Sequence, residues 1–240
     1  MKLFISGYGK MGRMIEQIIL SRNIEYAGWT EAVTETDPAL AKECVCIDFT
    51  TPAAIRANYR FLAENFKAVV IGTTGWADIH DEVVAYFEKC GTPMIWASNF
   101  SIGVNVYFAV TDYISRMLGK FGGYSPYMVE MHHCHKLDAP SGTAIALAEA
   151  LNEGAGGDYT FTYDRSQRRA PRDDKEIGVS ALRGGTVVGI HDVVFAGQDE
   201  VIEFKHTAYS RAIFAKGAVQ AAKFLAGKEA GMYDMSDVIG

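Results

Sequence analysis

Lys2-Leu3-Phe4-Ile5-Ser6-Gly7-Tyr8-Gly9-Lys10-Met11-Gly12 decides how the first half of the chain is read. Its first five residues predict a short apolar strand, and residues 14–20 follow at helical spacing. Between them stands G-x-G-x-x-G in the context that gives this motif meaning, a strand running into a helix. The first glycine permits a tight turn, the second lets backbone approach a pyrophosphate, and the third lets helix and strand pack closely. A helix start also turns unpaired N–H groups and the positive end of its dipole towards an anion. Gly7, Tyr8, Gly9, Lys10, Met11 and Gly12 are therefore candidate contacts of a dinucleotide. A purely structural turn is the competing reading.

Residues 26–29 predict a second strand ending at Thr30-Glu31. Glu31 falls about 20 residues beyond the turn, where an acid bonds the ribose hydroxyls of NAD. Without the glycine turn it would read as a solvated surface glutamate. Ala32 follows, so no adjacent arginine holds the extra phosphate of NADP. NADH is expected to serve at least as well as NADPH, although Lys10 or a distant cation could change this. Residues 44–48, 68–72 and 94–97 predict three more brief apolar strands, with helices over 52–64 and 77–89 between them. Such alternation predicts a doubly wound parallel sheet, Rossmann-like in plan. The polar strand ends, Asp48 to Thr50, then Gly72, Thr73 and Thr74, then Ala97, Ser98, Asn99 and Phe100, should open on one edge. Sheets of this kind bind ligands there; a hydroxyl in such a place could also do no more than cap the next helix.

From Tyr127 the pattern changes. Residues 128–131, 178–182, 186–195 and 200–207 predict strands, several of them alternating, with one clear helix over 143–151. This is a second, α+β domain with a mixed, largely antiparallel sheet. The expected division is a dinucleotide-binding domain over 1–101 and 211–240 and a substrate-binding and oligomerisation domain over 102–210. The amphipathic helix 211–225 should pack back on the first domain, and the open sheet face is suited to self-association. Residues 152–176, with Arg165, Arg168, Arg169 and Arg172, read as a solvated loop, or alternatively as a mobile lid. Arg183-Gly184-Gly185 should bring a cation or a tight turn near the site.

Chemistry concentrates in residues 130–144, Glu-Met-His-His-Cys-His-Lys-Leu-Asp-Ala-Pro-Ser-Gly-Thr-Ala. His132, His133 and His135 can exchange protons near neutral pH. Lys136 is a point cation and a proton donor. Ser141, Gly142 and Thr143 lead into a helix whose free N–H groups suit a carboxylate. In an extended segment His132, Cys134 and Lys136 would share one face and His133 and His135 the other. That leaves too few convergent ligands for zinc, beside a repelling cation, and no metal is expected.

A hydrophobic content of 49% supports a packed core, and a net charge of −6 argues against nucleic acid as partner. The four cysteines show no framework spacing; Cys44 and Cys46 read as buried thiols, and a reducing cytoplasm is expected. The chain starts directly in a strand, with no signal-peptide pattern, and no apolar run is long enough to span a membrane.

Residues 130–144 resemble the E-x-H-H-x-x-K-x-D-A-P-S-G-T-A signature of the dihydrodipicolinate (4-hydroxy-tetrahydrodipicolinate) reductase family at every specified position. The turn at 7–12, Asp48-Phe49-Thr50, Gly72-Thr73-Thr74-Gly75, Asn99-Phe100-Ser101 and Arg183-Gly184-Gly185 match further family motifs in order. The resemblance implies NAD(P)H-dependent reduction of a small cyclic dicarboxylate to tetrahydrodipicolinate in lysine and diaminopimelate synthesis, by a homotetramer. By motif position, His132 would be the acid/base residue, Lys136 the proton donor and His133 a substrate-binding residue. Gly142 and Thr143 would bind a carboxylate, alongside Ser141. The turn at 7–12, Glu31, Gly72 to Thr74 and Ala97 to Phe100 would contact the cofactor. The glycine turn is one residue shorter than the common family form, and Ala32 and Ser98 depart from frequent family residues. Two alternatives stay open: a reductase of another small acid, such as an aspartate or homoserine dehydrogenase, and a non-catalytic NAD(H)-sensing module. The latter would have no use for His132, Lys136 and Ser141 together.

Overall fold

The computed structural model describes all 240 residues except Asp164 and Gln167. Two compact units divide the chain: Met1–Asn105 with Ala212–Gly240, and Val106–Arg211.

The first unit holds six parallel strands: β1 (Lys2–Ser6), β2 (Glu25–Thr30), β3 (Cys44–Asp48), β4 (Ala68–Ile71), β5 (Met94–Trp96) and β11 (Met232–Tyr233). Their order is β11-β5-β4-β3-β1-β2. The chain steps from β1 to β2 on one side, then returns to build β3, β4 and β5 on the other. The C-terminal ends of β1 and β3 therefore flank the point where strand order reverses, the usual ligand position of such sheets. The helices are α1 (Lys10–Ser21), the short α2 (Pro38–Ala41), α3 (Pro52–Asn65), α4 (His80–Cys90), α7 (Ala212–Leu225) and α8 (Met235–Ile239). α3 starts where the sequence placed it: Pro52 fills the first helical position and Thr51 caps Ala54 N. α7 packs on the sheet with Ala215, Ala218, Val219, Ala222 and Leu225 against Leu3, Ile5 and Ile15. It comes so close that a Cβ at Gly217 would stand 1.6 Å from the Phe100 carbonyl oxygen. The sequence reading did not include β11 or α8; two residues are too few to show a period.

The second unit contains most of α5 (Ile102–Gly119) and a five-stranded sheet of β6 (Ser125–His132), β7 (Thr160–Thr162), β8 (Glu176–Arg183), β9 (Gly189–Ala196) and β10 (Val201–Ala208). The order is β10-β9-β6-β8-β7. The β9–β10 and β6–β9 pairings are antiparallel and long; β6–β8 and β7–β8 are parallel. On the inner face Met128, Val179, Val193 and Phe195 pack against α6 (Gly142–Gly154) through Leu147 and Leu151. On the outer face Tyr127, Leu182 and Val201 are exposed.

Three arginines of the basic cluster expected in a solvated loop, Arg165, Arg168 and Arg172, are tied down, while Arg169 is exposed. Arg165 and Arg168 both pair with the buried carboxylate of Glu176, and Arg172 donates to the Pro126 carbonyl at 3.1 Å. Arg165 and Arg168 share one interior acid, with Arg168 also reaching exposed Asp173, which spacing along the chain could not reveal.

Candidate active site

β6 places Glu130 and His132 two residues apart, so both side chains point to the inner face of the second sheet. Glu130 is fully buried, and its Oε2 lies 2.5 Å from Nδ1 of His132. The two atoms touch without the alignment of a hydrogen bond. The other oxygen, Oε1, accepts from Arg183 Nη2 at 2.8 Å and from the Ser141 N–H at 3.2 Å. Arg183 reaches it because parallel pairing sets the end of β8 opposite His132. His191 stands opposite Glu130 on β9, with Nε2 3.2 Å from Ser141 Oγ and 4.0 Å from Glu130 Oε2. A Cβ at Gly189 would stand 3.1 Å from His132 Nε2, so glycine keeps that edge clear.

Burial would raise Glu130, but Arg183 and the Ser141 N–H outweigh it and hold the carboxyl below its ordinary range. Burial, aided by the charges of Lys136 and Arg183, pushes His132 down against the pull of Glu130. Burial pushes His191 down to about 4, with His132 adding to the effect. At neutral pH the site therefore holds one carboxylate, one guanidinium and two neutral imidazoles.

The alternation expected beyond His132 does not hold, because β6 ends there. The chain turns, with Lys136 N donating to His133 O at 3.1 Å and Cys134 N to Gly185 O at 3.2 Å. Lys136 lies inside this turn, its Nζ 2.8 Å from both carboxylate oxygens of Asp138. His133 keeps a buried Nδ1 with no hydrogen-bond partner. Ser141 was expected to touch substrate, but its hydroxyl faces inward: it is the N-cap of α6, accepting from Ala144 N at 3.2 Å and meeting His191. Ser141 thus builds the helix start that presents Gly142 and Thr143. Gly142 is exposed, with open space where a Cβ would be.

Glu130, His132 and His191 bring donor atoms within 4.8 Å of one another. Oε2 of Glu130 and Nδ1 of His132, 2.5 Å apart, are closer than the roughly 3 Å that separates ligands on one zinc ion, and zinc sites usually take about four ligands. With Arg183 on the same carboxylate, the arrangement is that of a charge-backed imidazole. A cavity of about 520 Å³ lies elsewhere in this unit, lined by Tyr124, Tyr159, Arg172 and Lys175 among others, and none of the expected site residues lines it.

In the first unit, packing accounts for two of the three motif glycines. A Cβ at Gly7, where φ is +88°, would meet the Phe49 carbonyl oxygen at 2.5 Å, and one at Gly12 would meet the Gly7 carbonyl oxygen at 2.1 Å. Gly9 differs: a Cβ there would meet nothing within 4 Å. It is the N-cap of α1 and supplies no side-chain cap. The chain's own packing does not require that glycine, whereas a phosphate approaching the helix start would. Lys10 is exposed beside it and Met11 packs towards the core. Glu31, exposed at the end of β2, accepts from Tyr8 N at 3.0 Å, while the Tyr8 ring stacks on Trp29 at 3.9 Å.

At the other strand ends, Asp48 is a buried hub. It accepts from Ser6 Oγ (2.6 Å), Thr73 Oγ1 (2.8 Å) and Thr50 Oγ1 (2.9 Å), joining the ends of β1, β3 and β4. Thr73, read as a cofactor contact, therefore has its side chain engaged within the unit. Phe100 is buried in the core, so the edge is formed by exposed Thr74 and Ser98 with half-buried Gly72, Ala97 and Asn99.

Family comparison matches residues 1–100 to the dihydrodipicolinate reductase N-terminus and 103–239 to its C-terminus. The chain belongs to the dihydrodipicolinate reductase family. The 4-hydroxy-tetrahydrodipicolinate reductase of Akkermansia muciniphila is 41% identical over 235 residues, 97% of this chain and 94% of that one. That of Chromohalobacter salexigens is 44% identical over 209 residues, 85% of this chain and 77% of the relative. Among solved structures, a dipicolinate-bound dihydrodipicolinate reductase from Paenisporosarcina sp. TG-14 aligns with a TM-score of 0.74 over 97% of both chains, at 21% identity, which shows a shared fold.

Within this dihydrodipicolinate reductase fold, sequence reasoning left three residues without their roles. Glu130 opens the signature but was assigned no role. Arg183 was expected nearby as a cation or a turn, and it is the counter-ion of Glu130. His191 was not singled out. One histidine in an alternating strand carries no signal of its own; its role depends on which residue of β6 it faces.

Proposed function

We propose that this chain reduces 4-hydroxy-tetrahydrodipicolinate (dihydrodipicolinate) to tetrahydrodipicolinate, using NADH or NADPH, in lysine and diaminopimelate biosynthesis. The observation that carries the reading is His132 at the end of β6, beside buried Glu130, followed at once by the turn that holds Lys136 and by the anion-ready start of α6.

Glycine at position 9 and Glu31 suit a dinucleotide's pyrophosphate and ribose. When bound, the reduced nicotinamide supplies the hydride. A substrate carboxylate is received at Gly142 and Thr143, and the unpartnered Nδ1 of His133 is available to a second polar group of the ring. Lys136, held by Asp138, gives the proton that the reduced ring requires. His132, neutral at neutral pH, accepts and passes on a proton, and Glu130 stabilises the imidazolium so formed. Acid–base help of this kind typically contributes about 10²–10⁴-fold.

Exposed Glu31 would repel the extra phosphate of NADPH, which favours NADH. The outer face of the second sheet, with Tyr127, Leu182 and Val201 exposed, is where we place the contacts of a homotetramer. Among the described residues no helix is long and apolar enough to cross a membrane. The four unpaired cysteines suit a reducing cytoplasm.

The test follows nicotinamide absorbance with substrate made in situ from pyruvate and aspartate semialdehyde by a synthase. Oxidation dependent on both proteins is expected. NADH that binds but is never oxidised would remove the substrate assignment.

A further inference from the structure

We infer that His191 is a positioning residue, locking the carboxylate-binding start of α6 to the Glu130–His132 pair. This rests on the reaction proposed above.

Ser141 is the joint. Its N–H donates to Glu130 Oε1 at 3.2 Å. Its hydroxyl accepts from Ala144 N at 3.2 Å, as an N-cap does. A hydroxyl that already accepts still has one hydrogen to place. His191 Nε2 stands 3.2 Å from that oxygen. In the tautomer protonated at Nδ1, Nε2 accepts this hydrogen. Ser141 is then fixed at its backbone by Glu130 and at its side chain by His191. Those two bonds orient the first residues of α6, Gly142 and Thr143, relative to His132.

The position is set by strand register, since His191 faces Glu130 on one side and His206 on the other. The charged and titratable groups around it are Glu130 and His132 from β6, Lys136 from the turn and His206 from β10, with Tyr107 of α5 donating its hydroxyl to the His191 carbonyl at 3.3 Å. Protonating His191 would make Nε2 a donor. Ser141 Oγ would then face two donors, its own hydrogen would lose its acceptor, and the helix start would loosen.

The test compares His191→Leu, His191→Gln, Ser141→Ala and the Ser141→Ala/His191→Leu double variant. Dipicolinate affinity, KM and kcat in the coupled assay, NADH affinity and Tm are measured for each. Losing an ordered hydrogen bond at the cradle should raise the dipicolinate Kd and the KM about tenfold in His191→Leu. NADH affinity should stay at the wild-type value. His191→Gln returns a hydrogen-bonding side chain to the same place and should bring KM back to within about threefold. Because the two residues act through one bond, the double variant should be no worse than the poorer single variant. A His191→Leu protein with wild-type KM and Kd overturns the inference, as do fully additive effects of the two substitutions. If His191→Leu fails to fold, Ser141→Ala and His191→Gln carry the same comparison through their own double variant. A wild-type protein that neither binds dipicolinate nor turns over fails the proposed reaction first, and this inference with it.

Discussion

Oε2 of Glu130 lies 2.5 Å from Nδ1 of His132, and the other oxygen of the same carboxylate carries Arg183 at 2.8 Å. The carboxylate is thus shared between a permanent cation and a titrating one. Glu130→Gln keeps the shape and removes the charge. His132 should then titrate lower still, because the pull of Glu130 is what opposes its burial. kcat should fall about 10- to 100-fold, and the acid limb of the kcat–pH profile should move to lower pH. Arg183 loses its counter-charge but keeps the Asp138 carbonyl at 2.6 Å and an amide oxygen in place of the carboxylate, so stability should fall by about 1–3 kcal/mol, the range for a weakened hydrogen bond to a charged group. An unmoved acid limb would detach Glu130 from His132.

Lys136→Ala and His132→Ala should each lose at least about a hundredfold in kcat. NADH affinity should hold, because neither residue belongs to the unit that carries the glycine turn. Single-turnover kinetics with pre-bound NADH make the comparison. A variant that turns over near the wild-type rate would take that residue out of the proton path.

Gly9→Ala and Gly12→Ala should part company. A methyl at 9 meets open space, so the variant should melt within a few degrees of the wild type, the small loss being that of alanine at an N-cap, yet bind NADH at least about tenfold more weakly, as expected if backbone must approach the phosphates. A methyl at 12 would stand 2.1 Å from the Gly7 carbonyl oxygen, so that variant should lose stability before binding is even measured. Thermal melts and NADH fluorescence titrations separate the two. Wild-type NADH affinity in Gly9→Ala would leave the open space at residue 9 without a ligand.

Glu31 accepts from Tyr8 N, so it is held in place before any ribose arrives. Glu31→Gln should lower the NADH to NADPH preference about tenfold, since a carboxylate repels the extra phosphate and an amide does not. Initial rates with each cofactor give the ratio. An unchanged ratio would assign discrimination to Lys10 or another cation.

His191 gives the second unit a pH signature. Its folded value is about 4 against an ordinary 6.5, so between those limits the unfolded chain binds more protons than the folded one. Stability is therefore at full strength above about 6.5 and is lost as pH falls towards 4, by an amount on the order of 3 kcal/mol. Denaturant titrations across this window should show the slope; His132 and His206 are also held below their ordinary value by burial, so His191→Gln should lessen the slope without abolishing it. The same slope in the variant would place the titration elsewhere.

The first sheet was legible because each strand is brief, apolar and followed by a helical period. The signature was legible because its residue types are rare in such company. What could not be read depends on register. Opposite charges on β6 and β8 meet because Arg183 faces the end of β6, and no local pattern states that pairing. The turn after His132 broke an alternation that holds only inside a strand. Ser141 has the right residue type for a ligand contact and for a cap, and the sequence does not distinguish the two. Glu176 drew Arg165 and Arg168 inward from a segment whose composition reads as solvated.

β11 pairs with β5, and α7 packs on β1, each across the whole of the intervening second unit. The first unit is thus interrupted after Asn105 and closed only after Arg211, with the whole second unit synthesised in between. In the order of synthesis, the unit started first is finished last. Until Met232 emerges, the β5 edge stays unpaired, and an unpaired edge is a template for pairing with other chains. Nonsense or frameshift changes late in the coding region should therefore act as aggregation lesions on the nucleotide-binding half, even though they leave every residue of the glycine turn and of the 130–144 signature intact.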